Sequence, residues 1–383
     1  MDRKTRKIVF VIRYFHPFIG GLEKKVLNLA SVLNQRGVNV EILTSRFYKE
    51  WPKSEKIRGV AVCRIASPRI KIAGALVFLA GLCKYLFQNR SCIEAIHAFQ
   101  VGYSSAAAVC MGKLLSKPTL LSLSSSGKGG DIIRHRKSPW GRAFLFLCRL
   151  ASRILVLNAD MRRELQMISY HEHAILSVTN GVDPGVFQRA ENRKELRQKM
   201  GIDKEKIILY TGRLSSEKGL AFLIRAYAKL GLAMPTKLYV LGDGPELPRL
   251  RKLIRQYHLE NRVILLPAKE DVASHLQTAD IFVMPSEFEG LSNSVLEAMA
   301  CALPVIATRV EGNAELIEDR VTGLLVAYGD EEQMKKALTF LLTNPEEARD
   351  IGFRAQKKVQ KNHDLDKVAE EYIRLYKNLV QTT

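Results

Sequence analysis

The stretch Ile281 to Thr308, IFVMPSEFEGLSNSVLEAMACALPVIAT, constrains the fold more than any other part of the chain. An apolar run of strand length, Ile281 to Met284, is ended by Pro285 and Ser286. An acidic, glycine-containing loop follows, Glu287 to Asn293. Ser294-Val295-Leu296-Glu297 has the Ser-x-x-Glu spacing of a capping box, which predicts a helix that begins there and runs through Ala300. Pro304 then precedes a second buried strand, Val305 to Ala307. A strand feeding a polar loop and a helix start is the repeating piece of a parallel α/β sheet. The helix end carries unpaired N–H groups and about half a positive charge, which suits a phosphate. Glu297 has two readings at this point, the capping partner of Ser294 or a ligand-binding acid.

The same alternation runs along the whole chain. Strand Ile8–Ile12 leads through a loop to Gly20-Gly21 and a helix from Leu22 to Gln35, with Val26, Leu29, Ala30 and Leu33 on one face. Gly37 ends it and strand Val40–Leu43 follows. Gly20-Gly21 before a helix is either a plain tight turn or a place where backbone approaches a phosphate or sugar. Further strands are expected at Ala95–Phe99, Thr119–Leu123 and Ile154–Leu157, with helices at Ser104–Leu115 and Ala159–Met167. Ser124 to Asp131, SSSGKGGD, is a Gly/Ser loop at a strand's C-terminal end, where doubly wound sheets bind ligands. The pattern restarts with strand Ile207–Thr211, the loop Gly212 to Gly219, helix Leu220–Leu230 and strand Lys237–Leu241. Gly242-Asp243-Gly244 is short of a full GxGxxG, so it is a weak nicotinamide signal. Strand Val263–Leu266, helix Val272–Thr278 and a final helix near Leu365–Val380 complete the pattern. The expected fold is α/β with two doubly wound, Rossmann-like domains. They are placed at 1–183 and 194–364, with a linker at 184–193 and a closing helix at 365–383.

A chain of 383 residues is long enough for two ordinary domains. Residues 1–183 hold 29 Lys and Arg against 11 Asp and Glu, a net of +18 out of +20 for the chain. Such asymmetry points to an anionic partner: a membrane surface, a nucleic acid or an acidic substrate. Two basic-apolar stretches stand out within it. Arg69 to Arg90 has the apolar middle IAGALVFLAGLCKYLF and reads as a core helix. Arg134 to Arg153, with Trp140 and Phe146, is open between core and membrane interface. The apolar run Ile72–Phe87 is shorter than the ~20 residues that span a bilayer. No h-region follows Met1–Lys7, so a cytoplasmic protein is expected. Cys63, Cys83, Cys92, Cys110, Cys148 and Cys301 show no metal-like spacing and read as reduced core thiols.

Arg213 and Lys218 share one loop after a strand. Two cations on a preorganised loop can neutralise a diphosphate leaving group without a metal. The ordinary alternative is a pair of solvated surface cations. GRLSSEKG, EGLSNSVLEAMA, the Gly-Gly-Leu-Glu at Gly20–Glu23 and Asn180-Gly181-Val182-Asp183 together resemble the retaining glycosyltransferases of family 4, which have the GT-B fold. That resemblance covers nearly the whole chain, most strongly its second half. It implies two domains facing a central cleft, with the last helix crossing back to the first domain. It further implies that Arg213 and Lys218 hold the donor diphosphate and that Glu297 holds the ribose. Glu289, with backbone N–H groups of Gly290, Leu291, Ser292 and Asn293, would hold the transferred sugar. Ser294, Gly212, Gly20 and Gly21 complete the donor site. No metal or other cofactor is implied. The implied partners are a nucleotide-diphosphate sugar, UDP-linked by preference with GDP-mannose also open, and a glycan or lipid-linked acceptor near the inner membrane face. Many members carry His-Gly where this chain has Ser124-Ser125-Ser126-Gly127. His97 and His16 are candidates for the polar partner this leaves vacant. A nucleotide-sugar epimerase or phosphorylase on the same fold is the nearest alternative. A basic nucleic-acid-binding protein is another, although no recognisable module of that class is present.

Overall fold

Runs of Ile, Val and Leu that are buried on both sides form parallel strands here, because crossover helices cover each sheet face. The computed structural model describes residues 6–18, 20–127, 129–231, 234–269 and 271–381. Ile19, Lys128 and the start of the N-terminal Met1–Lys7 segment, named above, lie outside the described residues. The chain divides into two units, residues 1–180 with 366–383, and residues 181–365.

Unit 1 runs β1 (Lys7–Val11), α1 (Gly21–Gln35), β2 (Val40–Arg46), β3 (Ser54–Ile57), β4 (Val60–Ala66), α2 (Lys71–Gln88), β5 (Ile93–Phe99), α3 (Tyr103–Leu114) and β6 (Thr119–Ser122). It continues with α4 (Asp131–Arg136), α5 (Pro139–Cys148), β7 (Arg153–Val156), α6 (Ala159–Gln166) and β8 (Ile175–Ser177). The sheet order is β3-β4-β2-β1-β5-β6-β7-β8, so the winding reverses between β1 and β5. The β3–β4 hairpin was not anticipated. Ile57 pairs with Val60 across Arg58-Gly59, both at positive φ (47° and 80°), as a two-residue hairpin turn requires.

Unit 2 runs α7 (Arg193–Lys199), β9 (Lys206–Thr211), α8 (Leu220–Ala228), β10 (Thr236–Leu241), α9 (Leu247–Gln256), β11 (Val263–Leu266), α10 (Val272–Thr278) and β12 (Ile281–Met284). It continues with α11 (Asn293–Ala300), β13 (Val305–Thr308), α12 (Glu311–Ala314), β14 (Leu324–Val326), α13 (Glu331–Thr343) and α14 (Pro345–Asn362). Its six parallel strands are ordered β11-β10-β9-β12-β13-β14, reversing between β9 and β12. Asp280, just before β12, anchors the base of this sheet. Arg193 and Arg197 of α7 reach it at 3.0 and 3.2 Å, and it accepts the Ile207 N–H at 2.8 Å.

The final helix, α15 (Leu365–Gln381), belongs to unit 1 from Asp366 onward. Val368, Ala369, Tyr372 and Tyr376 join Phe10, Phe99 and Leu29 of α1 in one buried core. Arg36 at the end of α1 pairs with Asp366 and Glu370, each at 2.8 Å. α2 packs on the sheet by one face, and its outer face carries apolar residues. Phe78, Leu82 and Leu86 are buried, while Ile72, Leu76, Val77 and Phe87 face water. A continuous apolar run carries no period, so it cannot tell a two-sided from a one-sided helix. Of the cysteines, Cys92, Cys148 and Cys301 are buried and the other three are half-buried; all six are free thiols.

Candidate active site

In unit 2 the loops that follow β9, β10 and β12 meet at the carboxyl ends of adjacent strands. They sit at the sheet's reversal point, the usual ligand position of a doubly wound fold. Glycines let them nest. Gly219 is left-handed (φ 65°), and a Cβ there would lie 2.0 Å from the Pro285 carbonyl oxygen. A Cβ on Gly242 would lie 1.9 Å from the Gly212 carbonyl oxygen. Tyr210, fully buried on β9, donates its hydroxyl to the Arg213 carbonyl at 2.9 Å and so fixes the start of the loop.

Across that reversal point the Lys218 ammonium pairs with Glu289 Oε1 at 2.6 Å. Ser286 Oγ, wholly buried, donates to the same carboxylate oxygen at 2.7 Å. The backbone N–H of Glu287 donates to the Glu217 carbonyl at 2.7 Å, which ties the two loops together a second time. Arg213 lies exposed on the same loop as Lys218, and its guanidinium makes no ion pair among the described residues. The geometry therefore brings together Lys218 and Glu289, residues 71 apart in sequence, with Arg213 exposed on the same loop as Lys218.

The helix after the acidic loop starts earlier than the Ser-x-x-Glu spacing predicted. The cap of α11 is Ser292, whose side chain accepts the Val295 N–H, so Ser294 sits inside the first turn. The residue at the third helical position is then Val295, which has no side chain able to return a bond. The capping-box reading of Ser294 and Glu297 is corrected: two serines two residues apart compete for the cap, and the earlier one takes it. Glu297 is instead an interior helix residue, 9% exposed. Gly290, Leu291 and Ser292 are buried, while Asn293 and Ser294 are half-buried at the helix start.

Gly312 is a site feature with no motif to announce it. A Cβ there would lie 2.4 Å from the Gly290 carbonyl oxygen and 2.7 Å from that of Glu289. Backbone cannot yield by that amount, so Gly312→Ala is expected to push the acidic loop out of place. Activity should fall on the order of 100-fold, as small displacements of reacting groups do, with a modest loss in melting temperature. An activity assay beside a melting curve checks this; unchanged activity would refute it.

Unit 1 has its own reversal point, between β1 and β5. The Arg13 guanidinium lies there between the rings of Tyr14 and Tyr103, at 4.9 and 4.7 Å. Tyr14 stacks on Phe47 at 5.1 Å, and Phe18, Tyr48 and Trp51 extend the cluster. Arg13 Nε, His16 Nδ1, Ser45 Oγ and Tyr103 Oη are buried without a hydrogen-bond partner among the described residues. The sequence signal for this group is the density of aromatic residues in the loops after β1 and β2. Gly20 adopts an extended backbone (φ −144°), and a Cβ on it would meet only the flexible Glu23 carboxylate. Nothing in its geometry demands glycine.

The Gly/Ser loop is held from behind by two acids. Asp131, fully buried, accepts the Ser124 N–H at 2.6 Å and its hydroxyl at 2.9 Å, and Glu164 accepts the Gly127 N–H at 2.7 Å. Burial pushes both carboxyls up, against the pull of those hydrogen bonds. His97 is structural. It is wholly buried between Tyr376 Oη and Ser122 Oγ, each at 2.7 Å, and burial together with the nearby Lys25 charge holds it far below its ordinary value, hence neutral. Lys25 itself is pushed down to about 7 by burial. Among the described residues no group of three or more His, Cys, Asp or Glu is placed to hold a metal ion.

Comparison with known proteins bears on both units. Residues 192–358 match the model of glycosyl transferases group 1, and residues 20–181 match that of a glycosyl transferase 4-like domain. N-acetyl-alpha-D-glucosaminyl L-malate synthase of Bacillus anthracis is 31% identical over 208 residues, 54% of this chain and 54% of its own length. D-inositol 3-phosphate glycosyltransferase of Kineococcus radiotolerans is 29% identical over 94% of this chain and 91% of its own. The chain spans about half the length of the first of these relatives and nearly all of the second. HepE from Anabaena, solved in complex with UDP and glucose, superposes with a TM-score of 0.83 at 19% identity, covering 97% of this chain and 100% of its own. With its two matched domains and the two doubly wound sheets of a GT-B fold, this chain belongs to the glycosyl transferases of group 1.

Proposed function

We propose that this protein is a retaining, metal-independent transferase. It moves a hexosyl group from a nucleotide-diphosphate sugar, a UDP-sugar by preference, to a hydroxyl of a glycan or lipid-linked acceptor. The observation that carries this is the Lys218–Glu289 pair across the unit 2 reversal point, with Arg213 exposed on the loop that bears Lys218. Charge grows on the diphosphate as the sugar–oxygen bond breaks, and the two cations meet it without reorganisation. Glu289, held by Lys218 and Ser286, places negative charge and a hydrogen-bond acceptor beside the sugar. Glu297 takes the ribose hydroxyls. Retention follows if the acceptor attacks from the face the diphosphate leaves, with a phosphate oxygen taking its proton. Within unit 1, the unpaired buried groups of the Arg13–Tyr14 cluster offer hydroxyl partners of their own. The UDP carried by HepE supports a uridine donor, and the net charge of +18 on residues 1–183 supports a membrane-near acceptor.

A thermal-shift screen against UDP-glucose, UDP-N-acetylglucosamine and GDP-mannose tests the donor. A ligand at 100 times its dissociation constant stabilises by about 2.7 kcal/mol, so the true donor should raise the melting temperature by several degrees and the others should not. Absence of a shift with every nucleotide sugar, together with absent donor hydrolysis, would overturn the proposal.

A further inference from the structure

Unit 1 carries an exposed apolar surface that the site above does not use. On the outward side of α2, Ile72, Leu76 and Phe87 are 76%, 60% and 52% exposed. α5 repeats the arrangement: Leu145 and Cys148 are buried, while Trp140 and Phe146 are 77% and 66% exposed. α3 packs against both helices, and its last residue, Leu114, is exposed as well. These side chains therefore stand on one helical layer, on the sheet face opposite α1 and α15. Apolar side chains scattered singly on a surface need no explanation, but a run of this length on adjacent helices marks a contact surface.

The charge around it selects the partner. Residues 56–159 contain 16 Lys and Arg, and their only acids are Glu94 and Asp131, of which Asp131 is wholly buried. The bulk of the basic excess of residues 1–183 therefore falls on the segment that builds this layer. Arg134, Arg136, Lys137 and Arg142 are all exposed in the segment around Trp140. Among the described residues no helix is long and apolar enough to cross a membrane. An apolar strip edged by cations, with a tryptophan at the edge, is the pattern of a helix that lies in a bilayer interface.

We propose that the outward faces of α2 and α5 seat this protein on a bilayer with anionic headgroups. The apolar side chains enter the headgroup–acyl boundary, and the arginines and lysines meet lipid phosphates. This rests on the surface of unit 1 alone and is read without donor or acceptor, so failure of the transferase proposal would leave it standing.

Flotation of the full chain with vesicles is the test. The wild type should float with equal parts phosphatidylglycerol and phosphatidylcholine, and far less with phosphatidylcholine alone. Leu76→Glu combined with Phe146→Glu should weaken binding by at least about tenfold, since each puts a charge into the apolar boundary. Both positions are exposed, so the melting curve should not move. In a Trp51→Phe background Trp140 is the one remaining tryptophan, and brominated acyl chains should quench its fluorescence. Three outcomes overturn the proposal: no flotation of the wild type, flotation unaffected by the double substitution, or a concentration-dependent dimer that the same substitutions dissolve without any vesicle binding. The last would assign the face to a second copy of the chain.

Discussion

Lys218→Ala should lower turnover of the nucleotide-sugar donor by about 10²- to 10³-fold, the usual loss when a preorganised charge stabiliser is removed. Lys218 has two tasks in this geometry. In the proposed mechanism it presents an ammonium to the departing diphosphate, and through its 2.6 Å contact it fixes Glu289. Removing it leaves Ser286 to hold the carboxylate and leaves Arg213 as the remaining cation of the loop. Because Lys218 and Glu289 act as one unit, Lys218→Ala with Glu289→Gln should cost much less than the two separate losses combined, as for other coupled residues. Arg213 is proposed to meet the same diphosphate as Lys218, so the loss in Arg213→Ala combined with Lys218→Ala should differ from the sum of the two single losses. Hydrolysis of the donor, followed by nucleotide release, measures each of these single and double variants. Wild-type turnover in Lys218→Ala would end the assignment.

Asp280→Ala should destabilise unit 2 by about 3–5 kcal/mol, the cost of removing one partner from a buried ion pair. Arg197 is largely buried against Asp280, and the Ile207 N–H loses its acceptor at the same time. A domain of this size loses about 2–4 °C of melting temperature per kcal/mol, so the fall should exceed 5 °C. The pH dependence gives a second check. Burial alone would raise the Asp280 carboxyl, yet Arg193, the Ile207 N–H and Lys206 outweigh it and hold the group below its ordinary value. A depressed carboxyl contributes stability above its unfolded pKa of about 3.9 and loses that contribution as pH falls through its folded value. The wild type should therefore lose stability below about pH 4 more steeply than Asp280→Ala. Parallel acid melts of the two would contradict the proposed role.

Much of this molecule could be read from its residues because strand, glycine loop and helix follow one another in sequence. Val263–Leu266, Val272–Thr278 and Ile281–Met284 were placed to the residue for that reason. What escaped depends on contacts between distant segments. Gly312 looks like any helix-start glycine until the Glu289–Gly290 carbonyls are seen lying against it. Ser292 and Ser294 offer equal caps in sequence, and the turn before α11 decides between them. His97 could be a ligand by residue type, but the α15 tyrosine that takes its Nδ1 is 279 residues away. The one-sided burial of α2 was hidden by its own uniformity.

The placement of α15 has a consequence for how the protein is made. A ribosome must synthesise all of unit 2 before emitting the helix that completes the core around Phe10 and Phe99. Until then the nascent unit 1 displays an uncovered apolar flank, so its maturation follows that of the domain encoded after it. Its native state therefore reports on completion of the intervening polypeptide.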